Sequence, residues 1–340
     1  SSVTSTEATY QPDSLCATTP DKSFASYRIR GNSCQMLRWM LGCRVVEYYR
    51  QIFGEARLMA QALDANNNMK ATRKDTGLRL MSRPFAKVGR LVIFGVNHLG
   101  AAAIFLFLAL SQIFRRKQFA KIIEQIYFIG ARSISIIILV SLFTGMVLGL
   151  QAHHALVQFG AEGAVGSLVS LSLIMELGPV LTAIMITARA GSAIAAEIGI
   201  LRISEQIDAL STMRINPMRY LISPRIAAAI VSFPILTAVF DLVGIFGGYV
   251  SAVLLVGLNS GAYWHSIQVY VTSGDIFDGF VKAVVFAVIV ATVCCYQGYF
   301  AHMRRDSHGA QSVGLATTSA VVLSCVLILV SDYVVTSLLI

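Results

Sequence analysis

Long apolar runs separated by short polar punctuation dominate this chain. Ser133–Leu156, Gly166–Ala193, Ile226–Val256, Phe277–Phe300 and Val313–Ile340 each match or exceed the roughly 20 helical residues that a bilayer core requires. The pattern predicts five membrane spans in an all-α polytopic protein. A further apolar run, Leu91–Phe114, is followed by Arg115, Arg116, Lys117 and Lys121. Basic residues collect on the inner side of a membrane, so a full crossing here would strand the basic N-terminal region outside. An elbow that enters and returns, or a helix along the inner interface, is therefore expected. The turn His153–Gly166 and the connection Leu258–Ile276 hold no Lys or Arg and read as external. Tyr263 and Trp264 suit an interfacial position there. The connection after span two and the segment His302–Arg305 carry the bases and read as internal.

Residues 1–82 differ from the rest. Ser1–Thr19 is rich in Ser and Thr, Cys34–Leu63 has roughly helical apolar spacing, and DANNNMKATRKDTG is a linker by composition. The division expected is an N-terminal extension of unknown role at 1–82, partly disordered, and a membrane domain at 83–340. Composition supports the membrane class: 56% of residues are hydrophobic and only 13% charged, too few to cover a globule. The net charge of +9 is scattered at the ends of apolar runs and makes no nucleic-acid groove. The six cysteines form no CxxC pair and read as small apolar residues. His153 and His154 are adjacent, so on a helix they point apart and read as interfacial rather than as metal ligands.

Several charges fall inside the spans, where each costs about 2.5–3.5 kcal/mol even on a lenient insertion scale. Glu176, Arg189, Glu197, Asp241, Lys282 and Asp332 are the cases. Glu176 and Arg189 are about 20 Å apart along one helix, so they need partners on other spans. Lys282 has two candidates, Asp332 and Glu176. These pairs read either as structural ion pairs, or as a polar spot in a lipid-accepting cavity, or as a proton relay. Pro179 removes a backbone donor just after Glu176 and predicts a kink.

The connection after span two carries the other pattern. Glu197–Leu210 places Ile198, Leu201, Ile207 and Leu210 near one face and Arg202, Glu205 and Asp208 elsewhere. A short amphipathic helix along the membrane follows, with Ser204 as a candidate cap. Asn216-Pro217 ends it, and Ser223-Pro224 opens the next span.

MELGPV, ARAGSAIAAEIG, SEQIDAL, NPMRYLISPR and the late ATTSAVV and SDYVVTSLL, in this order, resemble the MlaE/YrbE family of ABC-transporter permeases. That family includes the chloroplast trigalactosyldiacylglycerol permease. The resemblance covers about Arg83–Ile340. It implies a homodimeric permease that moves glycerophospholipids, with an elbow helix and five spans. It also implies a separate cytoplasmic ATPase (MlaF-like) that holds the ATP and Mg, an MCE-domain protein (MlaD-like) on the far side, and often a small STAS protein (MlaB-like). By the same resemblance, Glu197, Arg202, Glu205, Gln206 and Asp208 fall in the coupling helix that meets the ATPase. Glu176, Lys282, Asp332 and Arg189 are the intramembrane polar candidates. One departure is Met175, where some members carry Arg before the acid, so an Arg–Glu headgroup scheme has no support there.

No Walker A sequence and no Ser-His-Asp or metal-ligand constellation is visible, so ATP hydrolysis is expected in a partner and not in this chain. The bacterial inner membrane is the expected location, the chloroplast inner envelope the alternative. Two other functions compete: an ion-coupled secondary transporter using Glu176, Lys282 and Asp332, and a scaffold that only anchors the MCE protein.

Overall fold

A computed structural model describes residues 100–112, 119–303 and 309–339. The readings for residues 1–82 lie outside the described residues. Every regular element among the described residues is helical. Helix α1 covers Gly100–Leu110, and α2 covers Phe119–Ile126. A π turn, Tyr127–Ala131, leads from α2 to α3 at Ile134–Val157. Span two is a composite of α4 (Val165–Ser172), α5 (Gly178–Ile186) and α6 (Ser192–Ile203). Helix α7 covers Gln206–Thr212, α8 Ser223–Tyr249, α9 Ser260–Tyr270, α10 Ser273–Tyr299 and α11 Ala310–Leu339.

Five helical segments are long and apolar enough to cross a membrane: Phe119–Val157, Glu162–Ile203, Met218–Leu255, Ser273–Tyr299 and Ala310–Leu339. They match the five predicted runs. The described part of α1 runs for 11 residues, about 16 Å. Phe105 of α1 meets Tyr296 edge-on at 5.8 Å and lies 6.1 Å from Tyr299, so α1 rests against the last turn of span four.

The ends of the bundle sort by charge. Lys121 lies over the ring of Tyr220, 3.0 Å from its centroid, and Arg202 donates to His302. These contacts place the start of span one and the connections after spans two and four at one, basic end. At the other end Tyr263 of α9 packs beside Gly166, joining the two connections that lack Lys and Arg. The stretch Leu258–Ile276 holds helix α9 and the start of α10. Asn259 caps α9 by accepting from the Gly261 amide at 2.8 Å, and Thr272 with Asp275 forms a capping box for α10. Tyr263 is buried completely and donates to the Ile245 carbonyl at 3.0 Å, so of the two aromatics only Trp264 takes the half-exposed place expected of both.

Spans one and three meet backbone to backbone. A methyl group built on Gly145 would overlap the carbonyl oxygen of Gly244, and one on Gly149 would strike Ser251 and the Gly248 backbone. Small residues here replace the hydrophobic drive that is absent between helices in lipid. Several span hydroxyls are satisfied within their own helices, as when Ser170 donates to Gly166, Thr187 to Ala183 and Thr292 to Val288, whereas those of Thr182, Ser232 and Thr237 are buried with no hydrogen-bond partner among the described residues. Cys294 and Cys295 are buried free thiols, and Cys325 is a half-buried one.

Candidate functional site

Glu176 sits in a π turn, Leu173–Leu177, that joins α4 to α5. The local sequence explains the turn. Pro179 has no N–H to give the carbonyl of Met175 four residues back, so the regular ladder cannot pass this point. That carbonyl accepts instead from the Lys282 ammonium of α10 at 2.8 Å. Lys282 also lies 2.8 Å from Glu176 Oε1 and 3.4 Å from Asp332 Oδ1 of α11. Thr336 adds a donor to Glu176 Oε1 at 3.3 Å. Both expected partners therefore converge on one lysine, and spans two, four and five are tied at one point.

The three charges differ in exposure. The Lys282 side chain is 3% exposed, Asp332 19% and Glu176 44%. The cation is enclosed, and the first acid opens outward. Two carboxylates against one ammonium leave the cluster able to carry an excess negative charge. Asp241 lies nearby on span three against Gly178, with Oδ1 buried and no hydrogen-bond partner among the described residues. Arg189 does not join this group. It occupies a second π turn, Thr187–Gly191, and donates to Ser133 at the start of α3 at 3.1 Å.

The connection after span two departs from the expected single helix at Glu197–Leu210. Helix α6 carries span two straight on to Ile203, and the chain breaks at Ser204–Glu205 before α7 begins. Ser204 closes α6 rather than opening α7, because its hydroxyl donates back to the Ile200 carbonyl at 2.8 Å. Glu205 takes the left-handed conformation at φ 58°, which re-aims the chain. The apolar face was read correctly: Ile198 and Ile207 are buried and Leu201 and Leu210 half-buried.

The five residues assigned to coupling have unequal settings. Glu205, Gln206 and Asp208 are exposed. Glu197 pairs with Arg225 at 2.9 Å, and Arg225 is almost wholly buried at the start of α8. The Arg202 side chain, 16% exposed, turns inward to Asp208 at 2.6 Å and lies over the Tyr299 ring. Arg225, Tyr299 and His302 were not singled out from sequence, and their role became visible only when the ends of spans two, three and four came together. Among the described residues no group of three or more His, Cys, Asp or Glu is placed to hold a metal ion.

A family model described as the permease MlaE matches residues 122–338. A probable ABC transporter permease protein of Rickettsia felis is 41% identical over 252 residues, 74% of this chain and 95% of that protein. The intermembrane phospholipid transport system permease protein MlaE of Haemophilus influenzae is 41% identical over 256 residues, again 95% of its length. The chloroplastic protein TRIGALACTOSYLDIACYLGLYCEROL 1 of Arabidopsis thaliana is 32% identical over 215 residues, 63% of this chain and 60% of that protein. The matched region holds spans two, three and four, nearly all of spans one and five, the lysine-centred cluster and the broken helix between spans two and three: the chain belongs to the MlaE permease family.

Proposed function

We propose that this chain is the membrane subunit of an ABC transporter that moves glycerophospholipids, with residues 83–340 as the permease domain. The observation that carries the reading is its 41% identity to the Haemophilus phospholipid permease over 95% of that protein. The basic end of the bundle gives the reading a mechanism. Helix α7 stands at the end of span two, hinged at Glu205, with Glu205, Gln206 and Asp208 exposed and Met213 62% exposed just beyond it. A short helix with a polar edge and an uncovered apolar tip is a surface for a separate ATPase, which would hold the ATP and Mg.

In this scheme closure of the ATPase pushes α7, and α6 passes the push up span two to Glu176. There Lys282 links spans two, four and five, so displacement of one span alters the polar lining met by a lipid headgroup. Two copies of the chain enclose the lipid path, and an MCE-domain protein receives or delivers the lipid on the far side of the inner membrane.

The test is phospholipid transfer from vesicles that contain the chain with its ATPase and MCE protein. ATP-dependent transfer, lost on charge reversal of Asp208 or Glu205 while the complex still assembles, is the expected result. Transfer that follows a proton gradient and ignores ATP would overturn the proposal in favour of a secondary transporter.

A further inference from the structure

The inner connection after span four closes on the broken helix. Arg202 Nε donates to His302 Nδ1 at 3.2 Å, and Nη2 of the same guanidinium lies 3.4 Å from Nε2. A neutral imidazole has one acceptor nitrogen, so one of these contacts is the hydrogen bond. Arg202 also binds Asp208 Oδ1 at 2.6 Å and lies 5.3 Å over the Tyr299 ring. One guanidinium thus touches α7, the end of α10 and the connection after span four.

We propose that His302 is a positioning residue: as a neutral acceptor it fixes Arg202, and through Arg202 and Asp208 it sets the angle of α7 against span four. The significance for transport rests on α7 being the ATPase contact, as proposed above. Under that reading the push on α7 enters the membrane twice, along span two and along span four. Span four carries the push from Tyr299 to Lys282, about 25 Å up the same helix. Both routes end at the Glu176–Lys282 pair, so the clamp keeps the two spans moving together.

The imidazole fits an acceptor role. Burial holds its pKa below the usual histidine value, and the neighbouring Arg202 lowers it further, against weaker opposing effects of the Tyr299 backbone and Asp208. Among the described residues, the charged and titratable groups facing it are Arg202 from α6, Asp208 from α7 and Tyr299 from α10. Protonation would set two cations against each other at this distance and release Arg202.

Hydrogen exchange of the Gln206–Thr212 amides tests this in the full chain, held in nanodiscs at pH 7.5 and 5.5 with the intrinsic rate difference removed. In the wild type, exchange should be about fivefold faster at pH 5.5, as like-charge repulsion across this gap in water implies. His302→Gln keeps an acceptor that cannot be protonated, so it should stay protected at both values. His302→Leu should exchange fast at both. Wild-type protection that ignores pH, or a His302→Leu variant as protected as the wild type, would overturn the proposal. Coupled ATP hydrolysis separates the two ideas. If exchange follows His302 while coupling does not, the clamp stands and α7 is not the ATPase contact.

Discussion

Replacing Lys282 by Met tests the centre of the bundle most directly. The ammonium is 3% exposed and serves two carboxylates and the Met175 carbonyl. Removing one partner of a buried pair typically costs about 3–5 kcal/mol, because the remaining charge is left uncompensated. The 44% exposure of Glu176 favours the lower end. The loss of the Met175 contact works the other way, at about 1–3 kcal/mol for an unmet backbone carbonyl. A net loss of about 3 kcal/mol corresponds to a fall in Tm of roughly 6–12 °C by the scaling of domains this size. Tryptophan fluorescence during a thermal scan in nanodiscs reads it. The triple variant Glu176→Gln, Lys282→Met, Asp332→Asn removes all three charges and should recover most of the loss. A fall below about 2 °C for Lys282→Met would refute the idea that this lysine ties three spans. A triple variant as unstable as the single one would mean that packing, not charge, is at stake.

Gly145→Ala should destabilise the bundle by about 1–3 kcal/mol, since the added methyl meets the Gly244 backbone; denaturant titration of the reconstituted chain measures it. Glu205→Gly relieves a left-handed residue at φ 58° and should raise stability by about 0.5–1 kcal/mol while lowering coupled ATP hydrolysis, two effects that separate assays read independently. Glu197→Ala leaves Arg225 buried without its carboxylate and should cost about 2–3 kcal/mol in the same titration, with Arg225→Met restoring part of it. The depressed His302 pKa fixes the sign of a pH effect. The folded chain binds fewer protons than the unfolded one, so this contribution is present above the ordinary histidine value of about 6.5 and declines as pH falls through it. Tm between pH 7.5 and 5.5 should drop less in His302→Gln than in the wild type.

The five spans were legible because each apolar run has the length of a bilayer crossing and the bases fall at alternate connections. The Glu176–Lys282–Asp332 cluster was half legible. Burial cost forced each charge to seek a partner, but sequence offered Asp332 and Glu176 as rivals where the structure uses both. The missing element was the Met175 carbonyl, freed by Pro179, which helps hold the ammonium between them. The broken helix was misread because amphipathic spacing continues through Glu197–Leu210 and does not register a left-handed residue in its middle. The clamp around Arg202 joins residues 100 positions apart, and no local pattern reports such a contact.

The glycine seam between spans one and three has a dynamic consequence. With main chain against main chain there is no layer of side chains to deform, so these two helices should travel as a single slab. Whatever opens and shuts during turnover must then be sought in the remaining three spans. Transport should survive a covalent tie across that seam, and a stalled transporter would show that the slab has to come apart.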